Sequence, residues 1–119
     1  MSEATALTNQ IIDYIYRQGG YAWRASSVGV YDGKIQQFRA SAKKGVSDVL
    51  AVYGGHAFAI EVKIGKDRLS QEQEGFLKNF EHAGGAWYVA QYFDDFKLWF
   101  DQQVVLRDNS LCEDSYPQP

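Results

Sequence analysis

Asp48, Glu61 and Lys63 are the residues of this chain whose types and spacing could carry out chemistry. Residues 47–53 (SDVLAVY) and 56–64 (HAFAIEVKI) are apolar runs flanking Gly54-Gly55. A glycine pair between such runs predicts a tight hairpin, because the favoured two-residue turns need positive φ. With the turn at those glycines, Tyr53 faces His56, and counting outward sets Asp48 opposite Glu61. Residues directly opposite in an antiparallel pair have Cβ atoms about 4.5–5.5 Å apart. Parity then divides the second strand. Phe58, Ile60 and Val62 take one face, and Ala57, Ala59, Glu61 and Lys63 take the other. The lysine therefore shares a face with the carboxylates, and the alanines leave room beside them.

Like charges directly opposite destabilise a sheet, so something must offset this pair. A hard divalent cation, Mg²⁺ or Mn²⁺, would do so. Such ions take oxygen ligands, often one or two carboxylates together with waters and a substrate phosphate. Lys63 could orient or deprotonate an attacking water, or stabilise charge developing on phosphorus. The plainer reading is a solvated face with a structural Asp–Lys–Glu ion pair, which contributes little when exposed.

The remaining elements must hold this face in place. Residues 3–18 read as a helix, with Leu7, Ile11 and Ile15 recurring every four residues and Gly19-Gly20 ending it. Residues 21–30 alternate loosely and predict a strand. Asp32-Gly33 predicts a turn, and residues 35–40 a returning partner strand. A basic loop with Lys43, Lys44 and Gly45 leads into the hairpin. Ser70 caps a helix running to about Ala83, and Gly84-Gly85 stops it. Residues 86–93 predict another strand, and Asp94 caps a short final helix or turn through Phe100 or Asp101. The predicted order is αββββαβα, an α/β sandwich around a mixed sheet.

A length of 119 residues fits one domain, and 45% hydrophobic with 23% charged residues is ordinary globular usage. Residues 1–108 are expected to form that domain. Residues 109–119, polar and holding both prolines, are expected to form a tail. The single cysteine, Cys112, excludes an internal disulfide, and no Cys/His cluster has zinc spacing. No basic segment leads into an apolar run at the start, and no apolar run approaches the ~20 residues of a membrane span. A cytoplasmic protein with no membrane association is the expectation. The net charge of −3 conceals an asymmetry: residues 17–68 hold nine Lys or Arg against four Asp or Glu. A basic centre can meet phosphates in an acidic chain, although the asymmetry also arises from an acidic C-terminal third.

The order of these pieces resembles the VRR-NUC branch of the PD-(D/E)xK nuclease superfamily, which is similar to Holliday junction resolvases. The resemblance rests on Glu3, Trp23-Arg24, Lys44-Gly45-Val46-Ser47-Asp48, Glu61-Val62-Lys63, Gln73-Glu74-Gly75-Phe76 and Gly84-Gly85. It covers residues 3 to about 96. Each piece alone is weak, whereas the combination in order is specific. Ser47 departs from the usual proline, which carries no ligand, and nothing between Arg24 and Lys44 matches. The resemblance implies a restriction-endonuclease-like fold, with an αβββαβ core and a mixed central sheet flanked by helices. It further implies a Mg²⁺- or Mn²⁺-dependent endonuclease cutting DNA phosphodiesters, on branched or structured DNA such as Holliday junctions, as a homodimer. Asp48 and Glu61 would ligate the ion with the Val62 main-chain carbonyl, Lys63 would handle the water, and Gln73 would complete the site.

Several residues keep two readings. Gln73 is also the fourth residue of a Ser70-x-x-Gln73 capping box. Glu3 is either a metal partner through water or a favourable acid in a first helical turn. Arg24, Lys43, Lys44, Lys66 and Arg68 are candidate phosphate contacts, which position DNA without reading sequence, or simply solvated cations. Trp87, Tyr88, Tyr92, Phe93, Phe96, Trp99 and Phe100 read as core or dimer interface and not as base-stacking platforms. Two rival functions are a non-cutting DNA- or protein-binding module on the same fold, and a nuclease subunit targeted by a partner.

Overall fold

Gly54 and Gly55 both take positive φ, 58° and 82°, in a computed structural model of the chain. Across them β4 (Val49–Tyr53) turns back into β5 (His56–Val62). Tyr53 pairs with His56 and Val49 with Ile60, the register counted from the sequence. The structure describes residues 1–26, 30–32, 37–39 and 44–113.

β1 (Tyr21–Arg24) lies antiparallel to β4, and β6 (Ala86–Ala90) lies parallel to β5. The sheet order is β1-β4-β5-β6. A parallel pair needs a crossover, and α2 (Gln71–His82) supplies it. α1 (Glu3–Arg17) precedes the sheet, and α3 (Phe93–Glu113) follows it. The chain is thus a mixed α/β fold with a four-stranded mixed sheet.

Two expectations change. The strand expected over residues 21–30 divides: β1 pairs with Val49–Val52 of β4, whereas β2 (Val30–Asp32) pairs with β3 (Gln37–Arg39) in a separate two-stranded sheet. Gly33 of the expected turn lies outside the described residues, as do Ile35, Gln36 and Ala40. The last helix does not stop at Asp101 but continues to Glu113, so the segment expected as a tail from Asn109 begins as helix. Residues 114–119 lie outside the described residues.

Leu7, Ile11 and Ile15 of α1 pack with Val49, Phe58, Ile60 and Val62 of the hairpin and with Phe96 and Phe100 of α3. Fully burying a side chain of this size contributes about 1.5–3 kcal/mol. Aromatic rings fill the layer. Phe58 meets Phe100 at 5.3 Å between centroids, and Tyr88 stacks on Trp99 at 4.9 Å. Tyr14 stands edge-on to Phe96 and Phe100, and its hydroxyl donates to Asp101. Burial and the Asp101 carboxylate push that phenol up to about 12. Tyr92, expected in the core or at a dimer interface, is 61% exposed and lies outside this core. Among the described residues no helix is long and apolar enough to cross a membrane.

Candidate active site

Asp48 sits one residue before β4, where the antiparallel ladder has already ended at Val49–Ile60. It is not a ladder partner of Glu61, as the counted register implied. Its carboxylate instead replaces the missing strand. Oδ2 accepts the Val62 N–H at 2.7 Å, and Oδ1 accepts the Ser26 hydroxyl at 3.1 Å. Its own carbonyl accepts the Ala25 N–H at 3.0 Å. The segment after β1, the entry to β4 and the end of β5 thus fix one side chain. Ser26 carries no sequence signal beyond being a hydroxyl residue just past a strand.

The Lys63 N–H donates to the Ala90 carbonyl on β6 at 2.9 Å. The carbonyl of the same peptide unit, that of Val62, points the opposite way in extended chain. It therefore faces the side on which Asp48 lies. Lys63 itself is half-buried at the end of the strand.

Glu61 is only 2% exposed. Its Oε1 accepts the Gln73 amide Nε2 at 3.1 Å, while Oε2 is buried and accepts no hydrogen bond. Burial, then the adjoining Asp48 carboxyl, raise its pKa from the ordinary 4.5 to about 8, and Lys63 pulls it down. A buried carboxylate with one idle oxygen beside a second carboxylate fits a divalent cation well. Among the described residues no group of three His, Cys, Asp or Glu side chains could hold a metal. The oxygens that could hold such an ion are those of the Asp48 and Glu61 carboxylates and the Val62 carbonyl. This all-oxygen, low-count set suits a hard ion that keeps waters and takes a substrate oxygen.

The capping box of Gln73 forms, and the same side chain also reaches Glu61. Its Oε1 accepts the Ser70 N–H at 2.8 Å, while its backbone N–H donates to the Ser70 hydroxyl at 3.1 Å, a complete capping box. With the amide oxygen occupied there, the amide nitrogen is left to face Glu61. Gly45 presses on the same turn. It has φ +76°, and a Cβ there would lie 2.1 Å from the Glu72 carbonyl oxygen and 2.8 Å from the Gln73 nitrogen. The first turn of α2 thus supports the loop leading to Asp48 and holds Glu61 through Gln73. Ser47, at the departure from the family pattern, is fully buried, and its hydroxyl has no partner.

Among the described residues, Glu3, Arg24, Lys44, Lys66 and Arg68 make no hydrogen bond or ion pair to Asp48, Glu61 or Gln73. Glu3 lines a cleft with Leu7, Ile64 and Tyr92. Arg24 is tied to α1, donating to Asn9 Oδ1 at 2.8 Å. Lys44, Lys66 and Arg68 are exposed, and Lys43 lies outside the described residues.

No protein-family model matches the chain, and no curated protein matches it. Among solved structures it is similar to Hjc, a Holliday junction resolvase from the archaeal hyperthermophile Archaeoglobus fulgidus, at 23% identity and a TM-score of 0.50. The match covers 73% of this chain and 66% of that one, so the chain spans just under two-thirds of its length. At this level of identity the likeness is one of fold.

Proposed function

We propose that the chain is a divalent-metal-dependent endonuclease that hydrolyses DNA phosphodiester bonds, acting on branched or structured DNA as a homodimer. The observation that carries this reading is Glu61: buried beside Asp48, with one oxygen unpartnered, on the strand that also presents Lys63. A surface ion pair would be solvated and would need no such burial. The similarity in fold to a Holliday junction resolvase supports a branched substrate. The order of the pieces from Glu3 to Gly85 supports the VRR-NUC branch, and α1, β1, β4, β5, α2 and β6 follow one another as an αβββαβ core would.

Asp48, Glu61 and the Val62 carbonyl would hold Mg²⁺ or Mn²⁺, which supplies Lewis-acid stabilisation of charge on the phosphoryl oxygens. Lys63 orients the attacking water and meets the developing negative charge. Gln73 fixes the rotamer of Glu61. Lys44, Lys66 and Arg68 contact phosphates flanking the scissile one, with Arg24 at the α1 side and Lys43 in the same basic loop.

The test is incubation of the purified protein with linear, nicked and four-way-junction DNA in Mg²⁺, Mn²⁺ or chelator. Cleavage is expected with either ion and not with chelator. Asp48→Ala and Lys63→Ala should each lower the rate by about 10²–10⁴-fold while the circular dichroism spectrum is kept. Undiminished cutting by either variant sinks the assignment. Salt-dependent DNA binding with no turnover in either ion would point instead to a binding module.

A further inference from the structure

The strand that carries Glu61 and Lys63 runs straight on into the wall of a second feature. Ile64 and Gly65 line a cleft of about 420 Å³, with Gln91 and Tyr92, which directly follow β6, on another side. The Lys63–Ala90 hydrogen bond clamps these two walls together. Glu3, Leu7 and Gln10 of α1 close the cleft. By strand parity Ile64 lies on the face opposite Lys63, so the cleft opens beside the catalytic strand end on its α1 side.

Its chemistry is uncommitted. Leu7, 5% exposed, and the half-buried Ile64 give it an apolar floor. Among the described residues, neither Glu3 nor Gln10 makes a side-chain hydrogen bond or ion pair, and Gln91 only reaches the Gly65 carbonyl at 3.5 Å. The Tyr92 ring has no ring partner, whereas its neighbour Phe93 packs against Tyr14 and Phe96. The volume lies within the roughly 300–1,000 Å³ of small-ligand clefts. A carboxylate at the rim repels phosphate, so the DNA backbone is the wrong occupant. A base is the right one. An aromatic face stacks on any base, a carboxylate accepts from exocyclic amino groups, and amides both donate and accept.

We propose that this cleft binds an unpaired, amino-bearing nucleobase next to the scissile phosphate, stacked on Tyr92 and hydrogen-bonded by Glu3, Gln10 and Gln91. The proposal rests on the nuclease reading and gives it a substrate class: DNA with an unpaired base beside the cut. Glu3 then serves base recognition in place of the metal.

The experiment measures binding in Ca²⁺, so that turnover is not needed. The probes are labelled duplexes that are fully paired or carry one unpaired guanine, one unpaired thymine or one abasic bulge. The unpaired guanine duplex should bind about tenfold more tightly than the paired one, thymine less so, and the abasic bulge no better than paired DNA. Tyr92→Ala and Glu3→Ala should each bring the guanine-to-paired ratio close to one. Both side chains are exposed, so neither variant should fail to fold. Equal affinity for guanine and abasic bulges, or an unchanged ratio in Tyr92→Ala, overturns the proposal. Cleavage in Mn²⁺ with a ratio of one removes this site and leaves the nuclease. Guanine-selective binding that never leads to cleavage does the reverse.

Discussion

β5 serves two environments with alternate residues. Phe58, Ile60 and Val62 enter a layer sealed by α1 and α3, where they pack with Leu7, Ile11, Ile15, Phe96 and Phe100. Ala59 and Glu61 face the side where Gln73 of α2 reaches in, and a buried carboxylate oxygen is left without a partner. The first face is built for close packing. The second keeps an ionisable group desolvated, so that ionising it costs stability unless an ion or substrate completes it. One strand thus carries a stabilising half and a destabilised half, two residues apart in repeat.

The largest effect is expected on the packed side. Phe100→Ala removes a ring with no exposed surface, touching Phe58, Phe96 and Tyr14, and should cost about 3–5 kcal/mol in urea denaturation. A loss below about 1 kcal/mol would mean that this layer is not the stabilising one.

Next in size is the acid on the other face. The pKa of Glu61 is raised from 4.5 to about 8 on folding, so the folded chain holds its proton more tightly than the unfolded chain. The stability this gives is fully present below pH 4.5 and is lost as pH rises through about 8. Metal-free protein should therefore weaken relative to Glu61→Gln across that window, by something on the order of 3 kcal/mol. Thermal melts of both proteins at about pH 5 and about pH 9 read it directly, and parallel pH curves would contradict it. Mn²⁺ should restore the wild type at the alkaline end and leave the variant behind.

Gly45→Ala should cost about 1–3 kcal/mol, since alanine meets both the positive φ and the Glu72 carbonyl. It should also weaken Mn²⁺ binding, because the loop it displaces leads to Asp48. Calorimetric titration separates these two effects. Ser70→Ala should be mildest, about 1 kcal/mol from the lost cap, with Ser70→Thr recovering most of it. An Ala variant with unaltered stability would show that the capping box does not hold this turn.

The local parts of this design were legible in the sequence. The Gly54-Gly55 turn, the parity of β5 and the capping box each depend on residues within a few positions of one another. What escaped was set by distant partners. Residues 21–24 read as part of a longer strand because their partner, β4, begins only at Val49, whereas the pairing expected around Asp32-Gly33 forms between residues 30–32 and 37–39 alone. The count of register set Asp48 opposite Glu61, but the ladder ends at Val49–Ile60 and the Asp48 side chain takes the Val62 N–H instead. Gly45 was seen as loop chemistry, while the contact that demands it is with a helix in a different part of the chain. The length of α3 was hidden because its apolar residues lie on more than one face: Phe96 and Phe100 are buried, but Leu98, Val105 and Leu106 are exposed.

The alternation along β5 also limits how this chain can change in length. A single residue inserted or deleted between Gly55 and Glu61, with the ladder kept, would turn the carboxylate into the aromatic layer and an aliphatic side chain towards Gln73. Two residues would restore the facing but move the acid along the strand, away from Asp48. β5 therefore tolerates substitution on its oily side more readily than any change of count. In this region the spacing of the sequence is itself a constraint.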